Sequence, residues 1–193
     1  MIKLIIFDLS EVCYSNEEQP FLIDFCKENK LDYEKFDSEY QELLVQSEVD
    51  DFSGQELWKR LLEQFNVKGD PDQIIKDMIA IKEERKDVLD FVKSLSVKTA
   101  YLTNYNQAYW EVINKKFKVD NHFDFGLVSY QIKARKPAVE GFKAIMDHFK
   151  VNANETVFTD DTAKNLVNAK ELGIHTIEFT SLSDFKKGLD KKL

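Results

Sequence analysis

The chain has 193 residues, 43% of them hydrophobic and fifteen of them Phe, enough for one large domain or a domain with an insert. A net charge of −8 argues against a nucleic-acid partner, because neutralising phosphates takes a basic surface. No run approaches the eighteen apolar residues of a membrane span, and the N-terminal apolar run is too short for a secretory signal.

Lys3-Leu4-Ile5-Ile6-Phe7 reads as a short buried strand of a parallel sheet, with Asp8 at its carboxyl end. Open α/β sheets place their ligands at that end of the strands. A lone strand-end Asp is more often turn chemistry than catalysis. Cys13 and Cys26 fit reduced thiols in a cytoplasmic chain, and no spacing suggests a zinc site. Cys13 reads as a small apolar filler rather than a second nucleophile.

From Tyr14 to about Lys86 no good strand is legible. Four helical stripes follow one another: Phe21, Leu22, Phe25, Cys26; then Phe36, Tyr40, Leu43, Leu44; then Leu57, Trp58, Leu61, Leu62, Phe65; then Ile74, Ile75, Met78, Ile79. Ser53-Gly54-Gln55-Glu56 reads as a capping box, and Pro71 is placed to start the fourth helix. The set reads as a small helical bundle inserted after the first strand. Lys82-Glu83-Glu84-Arg85-Lys86 reads as a solvated return linker.

Helix and strand then alternate. Val88 to Leu95 predicts a helix, Val97 to Leu102 a strand ending in Thr103-Asn104, and Tyr109 to Phe117 a helix. Phe123 to Tyr130 contains the next strand, and Phe142 to Phe149 stripes the next helix. Thr156 to Thr159 is a strand ending in Asp160-Asp161, followed by a helix that stops at Gly173. Ile174 to Phe179 is a last strand, and the Lys-rich tail a short helix or frayed end. This alternation predicts right-handed crossovers and an α/β fold with a doubly wound parallel sheet.

Polar residues recur at the predicted carboxyl edge: Asp8, Thr103, Asn104, Asp160 and Asp161, with Lys136 in the loop after the third strand. Each has a bland reading. Thr103-Asn104 and Asp160-Asp161 could cap helices, and Lys136 could be an exposed loop lysine. Four independent caps are a poor explanation for one edge that gathers three carboxylates, an amide, a hydroxyl and a lysine. The histidines His122, His148 and His175 are scattered and read as structural or surface residues.

In order and wording, FDLSEVCYS, AYLTNYN, KARKPAVEGF and TVFTDDTAKNLVNAKELGI resemble the four motifs of the haloacid-dehalogenase-like hydrolases. The resemblance covers essentially the whole chain, and the helical segment is its least specific part. It implies a Rossmann-like core of residues 1–13 and 87–193, with 14–86 as an inserted helical cap hinged near Tyr14 and Lys86. It also implies a magnesium-dependent phosphatase acting on a small phosphorylated substrate. Asp8 would be the nucleophile, forming an acyl phosphate. Mg²⁺ would be held by Asp8, the backbone carbonyl of Ser10 and Asp161, with Asp160 ligating or holding a bound water. Thr103 and a backbone N–H near Asn104 would bind phosphoryl oxygens, Lys136 would pair with Asp8 and the phosphoryl group, and Asn165 would orient the site. Neither the resemblance nor the residues give a substrate identity or an oligomeric state.

Ser10 departs from the family pattern. Most phosphatases of the family carry a second Asp there, as acid for the leaving group and then base for water. A Ser hydroxyl is neither near neutral pH, and losing such a group costs roughly 10²–10⁴-fold. Two alternatives follow: a metal-independent dehalogenase, or a catalytically weak binding or regulatory protein. Dehalogenases generally do not need the acidic pair that this chain keeps as Asp160-Asp161. Phosphonate cleavage would need a cap lysine for a Schiff base, and no spacing singles out one of Lys27, Lys30, Lys35 or Lys59.

Overall fold

The computed structural model describes residues 1–16 and 18–192. Its centre is strand β1 (Leu4–Phe7), every residue of which is buried. Four further strands join it in one all-parallel sheet: β2 (Lys98–Thr103), β3 (Phe125–Val128), β4 (Thr156–Asp160) and β5 (His175–Glu178). The order is β3-β2-β1-β4-β5. The chain therefore moves outward to one side of β1 and then returns to the other. A crevice opens at that reversal, between β1 and β4 at their carboxyl ends.

The alternation of side chains along each strand sends successive residues to opposite faces. Ile5 and Phe7 of β1, Tyr101 of β2 and Val157 of β4 belong to one core. Leu4, Ile6, Ala100, Leu102 and Phe158 belong to the other. Helices α5 (Lys86–Ser94), α6 (Gln107–Phe117) and α10 (Leu182–Asp190) cover the first face. Helices α8 (Glu140–Phe149) and α9 (Ala163–Glu171) cover the second. A one-turn helix, α7 (Ser129–Ile132), follows β3 directly, so the strand lies within the Phe123–Tyr130 span expected to contain it. Thr103 lies inside β2 rather than after it, because it pairs with Val128. Past α9, Gly173 takes φ +88 and Ile174 N–H donates to Ala169 O at 3.0 Å, closing the helix in the left-handed conformation that suits glycine.

Between β1 and α5 lie α1 (Glu18–Asn29), α2 (Tyr33–Ser47), α3 (Gly54–Gln64) and α4 (Pro71–Ala80). Asp32, Ser53 and Asp70 each accept a backbone N–H at the start of α2, α3 and α4. Phe25, Phe36 and Trp58 pack ring against ring among these helices. Their apolar interior runs without a break into the core beneath the sheet.

Helix α6 is the seat for this insert. Tyr40 and Tyr109 hydroxyls lie 3.2 Å apart, and the Trp58 indole N–H donates to Tyr109 at 2.8 Å. Asn106 caps α6 with one side-chain atom and donates to Ser47 with the other. Gly54 comes so close that a Cβ there would lie 2.5 Å from Asn106 Oδ1. Lys116 donates to the carbonyls of Ile79, Ala80 and Lys82 at the end of α4, where a cation also meets the negative end of the helix.

The charged run 82–86 differs from the solvated linker expected. Lys82 is only 6% exposed, Tyr14 and Glu84 form an antiparallel bridge, and Arg85 N–H donates to Cys13 O. The outgoing and returning segments therefore lie side by side. Lys82 Nζ also donates to Ser15 O. Charge in the sequence concealed backbone pairing, which any residue type can supply.

Candidate active site

Asp8 leaves β1 at the crevice, and its N–H donates to Thr159 O of β4 at 2.9 Å. The chain then turns tightly: Cys13 and Tyr14 N–H groups both return to Leu9 O. The turn places Glu11 at φ 59 and holds its side chain against Arg85 Nη2 and Asn16 N–H, each 2.9 Å away. Burial pushes the Cys13 thiol well above its ordinary value, so it stays a protonated filler.

The centre of the site is the Lys136 ammonium. Its Nζ lies 2.5 Å from Asp8 Oδ1 and 2.6 Å from Asp160 Oδ2, and all three side chains are buried. Burial alone would lower the lysine, but Asp8 and Asp160 together hold it above the usual value. Burial pushes the Asp8 carboxyl up to about 7, against the pull of Lys136. Asp161, half-buried, is also raised, first by burial and then by Asp160. Asp8, Asp160 and Asp161 offer carboxylate oxygens within 4.8 Å of one another. One ammonium among three converging carboxylates leaves a net negative site.

The two acids after β4 differ in freedom. Asp160 is fully buried and accepts from Lys136 Nζ, from Thr162 N–H at 2.9 Å, and from Asn165 Nδ2 at 3.0 and 3.2 Å. Asp161 accepts a 3.4 Å contact from the Thr162 hydroxyl. Asp160 thus fixes Lys136 and Asn165, while Asp161 keeps oxygens for another partner.

Asn104 follows β2, and its side chain is engaged by the lysine loop. Its Oδ1 accepts the Lys136 N–H at 2.9 Å, and its Nδ2 reaches Lys136 O at 3.5 Å. The residue clamps the backbone that carries the lysine. Asp8, Ser10, Thr103, Asn104, Lys136, Asp161 and Asn165 all line one small cleft. The histidines lie elsewhere: His148 stacks on Phe125 with ring centroids 3.9 Å apart, and His122 Nε2 lies 3.3 Å from Phe117 O.

A second cavity of about 160 Å³ opens beside the first and shares Ser10, Asn16 and Asn104 with it. The insert supplies Glu18, Glu48, Met78, Ile79 and Lys82 to its wall, and the sheet side supplies Tyr105 and Tyr109. Glu48, buried, is paired with Arg135, the neighbour of Lys136. Sequence reasoning missed Glu18, Glu48 and Asn106. Each lies in or beside a helical stripe whose apolar members carry the pattern, so nothing local marks them.

A family model described as haloacid dehalogenase-like hydrolase matches residues 2–173. Rat bifunctional epoxide hydrolase 2 is 34% identical over 74 residues, which is 38% of this chain and 13% of that protein. The chain thus spans about an eighth of the length of that curated relative. Among solved structures, a HAD family enzyme of Bacteroides thetaiotaomicron superposes with TM-score 0.83 at 25% identity, covering 96% of this chain and 97% of that one. A further structure of that protein, 24% identical, is a complex with magnesium and inorganic phosphate. A 2-haloacid dehalogenase of Pseudomonas syringae superposes with TM-score 0.69 at 18% identity over the full length of both chains, a likeness of fold.

Proposed function

Since this chain belongs to the haloacid dehalogenase-like hydrolases, we propose that it is a magnesium-dependent phosphohydrolase of small phosphate monoesters. The observation that carries this reading is the convergence of Asp8, Asp160 and Asp161 around Lys136. All donors are hard oxygens, suited to Mg²⁺. The lysine alone does not balance them, and a divalent cation would. In this reading Asp8, Asp161 and the Ser10 carbonyl hold the ion, with Asp160 supporting them. A bound Mg²⁺ supplies charge neutralisation for the phosphoryl oxygens and for the carboxylates facing them.

Asp8 is the nucleophile. One carboxylate oxygen attacks phosphorus, the ester oxygen leaves, and an aspartyl phosphate remains for water to cleave. Lys136 orients Asp8 and meets the phosphoryl group as a fixed point charge. Thr103, buried at the end of β2, offers its hydroxyl to a phosphoryl oxygen. Asn104 keeps Lys136 in place through the backbone, and Asn165 does the same for Asp160. Residues 1–13 and 87–193 are the catalytic core in this reading, and 14–86 are a lid that completes the cleft.

The test is release of inorganic phosphate from a panel of small phosphate monoesters, with Mg²⁺ or with a chelator. Metal-dependent release that disappears in Asp8→Asn is expected. Halide release from haloacids in the presence of the chelator would favour a dehalogenase instead. Tight phosphate binding without turnover would favour a binding protein.

A further inference from the structure

Ser10 leaves the proposed reaction without a proton donor for the leaving group, and the cavity beside it offers one. This inference rests on the phosphohydrolase reading. The leaving group must project from Asp8 past Ser10, and Ser10, Asn16 and Asn104 are common to both cavities. Among the described residues, two carboxylates line the outer cavity, Glu18 and Glu48. Glu48 already receives the Arg135 guanidinium. Glu11, at the inner cleft, already receives Arg85 and a backbone N–H. Glu18 accepts from neutral donors, a 3.4 Å contact from the Gln41 amide and a hydrogen bond from the Tyr40 hydroxyl, rather than from a guanidinium. We propose that Glu18, on the first helix of the insert, is the acid and base that replaces the absent Asp at position 10.

The surroundings suit that role. Burial raises the Glu18 carboxyl above its ordinary value, Gln41, Lys82 and Tyr40 pull it down, and Asp37 pushes it up. The aromatic hydroxyls of Tyr40 and Tyr109 extend behind it. The upward shift favours the protonated form, which is the form a poor leaving group needs. In the first step the Asp8–phosphorus bond forms, the phosphorus–ester oxygen bond breaks, and the Glu18 proton passes to the departing oxygen. In the second, the Glu18 carboxylate takes a proton from water as that water displaces Asp8 from phosphorus. The cycle ends with Glu18 again protonated and Asp8 again a carboxylate. Because α1 carries Glu18, the donor reaches the site only when the lid is seated.

The experiment compares an alkyl phosphate, whose alkoxide needs the proton, with a nitrophenyl phosphate, whose phenolate needs it far less. Glu18→Gln is expected to lose roughly 10²–10⁴-fold in kcat on the alkyl ester and at least tenfold less on the aryl ester. Glu18→Asp keeps the acid and should show the same selective pattern, more weakly. Ser10→Asp added to Glu18→Gln should restore alkyl turnover. Equal losses on both esters in both variants would overturn the proposal, as would a selective loss in Glu48→Gln instead. Those outcomes require an active parent enzyme. Absence of any phosphate release by the parent would sink the phosphohydrolase reading and this proposal with it.

Discussion

Lys136 is the residue on which the site's electrostatics turn. Two buried carboxylates share its ammonium at 2.5 and 2.6 Å, and it is itself almost wholly buried. Removing one partner of a buried ion pair leaves an uncompensated charge. Lys136→Met should therefore lose about 3–5 kcal/mol of stability in urea denaturation under chelator, with added Mg²⁺ recovering part of it. A loss below about 1 kcal/mol would mean that the carboxylates neutralise themselves by taking up protons. At this scale much was legible. That Asp8, Thr103, Lys136 and Asp161 share one cleft was foreseeable, because each lies at or beyond the carboxyl end of a recognisable strand. The clamp of Asn104 on Lys136 was not legible, since it depends on how two loops meet. Glu18 was hidden by its helix.

Helices rather than residues carry the communication between insert and site. The carboxyl end of α2 presents Ser47 to Asn106 and Glu48 to Arg135, one residue before Lys136. Glu48 is buried, and burial pushes its carboxyl up to about 7 while Arg135 pulls it down. Its ordinary value is 4.5. Between those values the folded chain keeps a proton that the unfolded chain has released. Glu48 therefore lowers stability as pH rises from 4.5 toward 7, by about 3 kcal/mol at most. Glu48→Gln removes that titration. The stability of the variant minus that of the parent should grow with pH across this window in denaturant titrations. A difference that shrinks with pH would mean that Arg135 overrides burial. The helices of the insert were legible from their apolar period, and the Ser53 cap from its sequence. The return segment 82–86 was misread, because a charged run gives no sign of pairing with residues 13–15.

At the scale of the whole molecule, one parallel sheet brings together residues more than 150 positions apart. The order β3-β2-β1-β4-β5 makes Asp8 and Asp160 neighbours across adjacent strands. It also opens the crevice between them toward the insert. Alternating strands and helices foretold the doubly wound sheet, because parallel strands require crossovers. The seating of α1–α4 on α6 through Tyr40, Trp58 and Tyr109 was not foretold, since those rings read equally well as plain core. In the proposed reaction this architecture places the Asp8 carboxylate for attack on phosphorus. Rapid acid quench during turnover, followed by peptide mass spectrometry, tests it most directly. A phosphoryl group is expected on the peptide bearing Asp8, and none in Asp8→Asn. Sustained phosphate release with no such adduct, or undiminished release by Asp8→Asn, would contradict this reading.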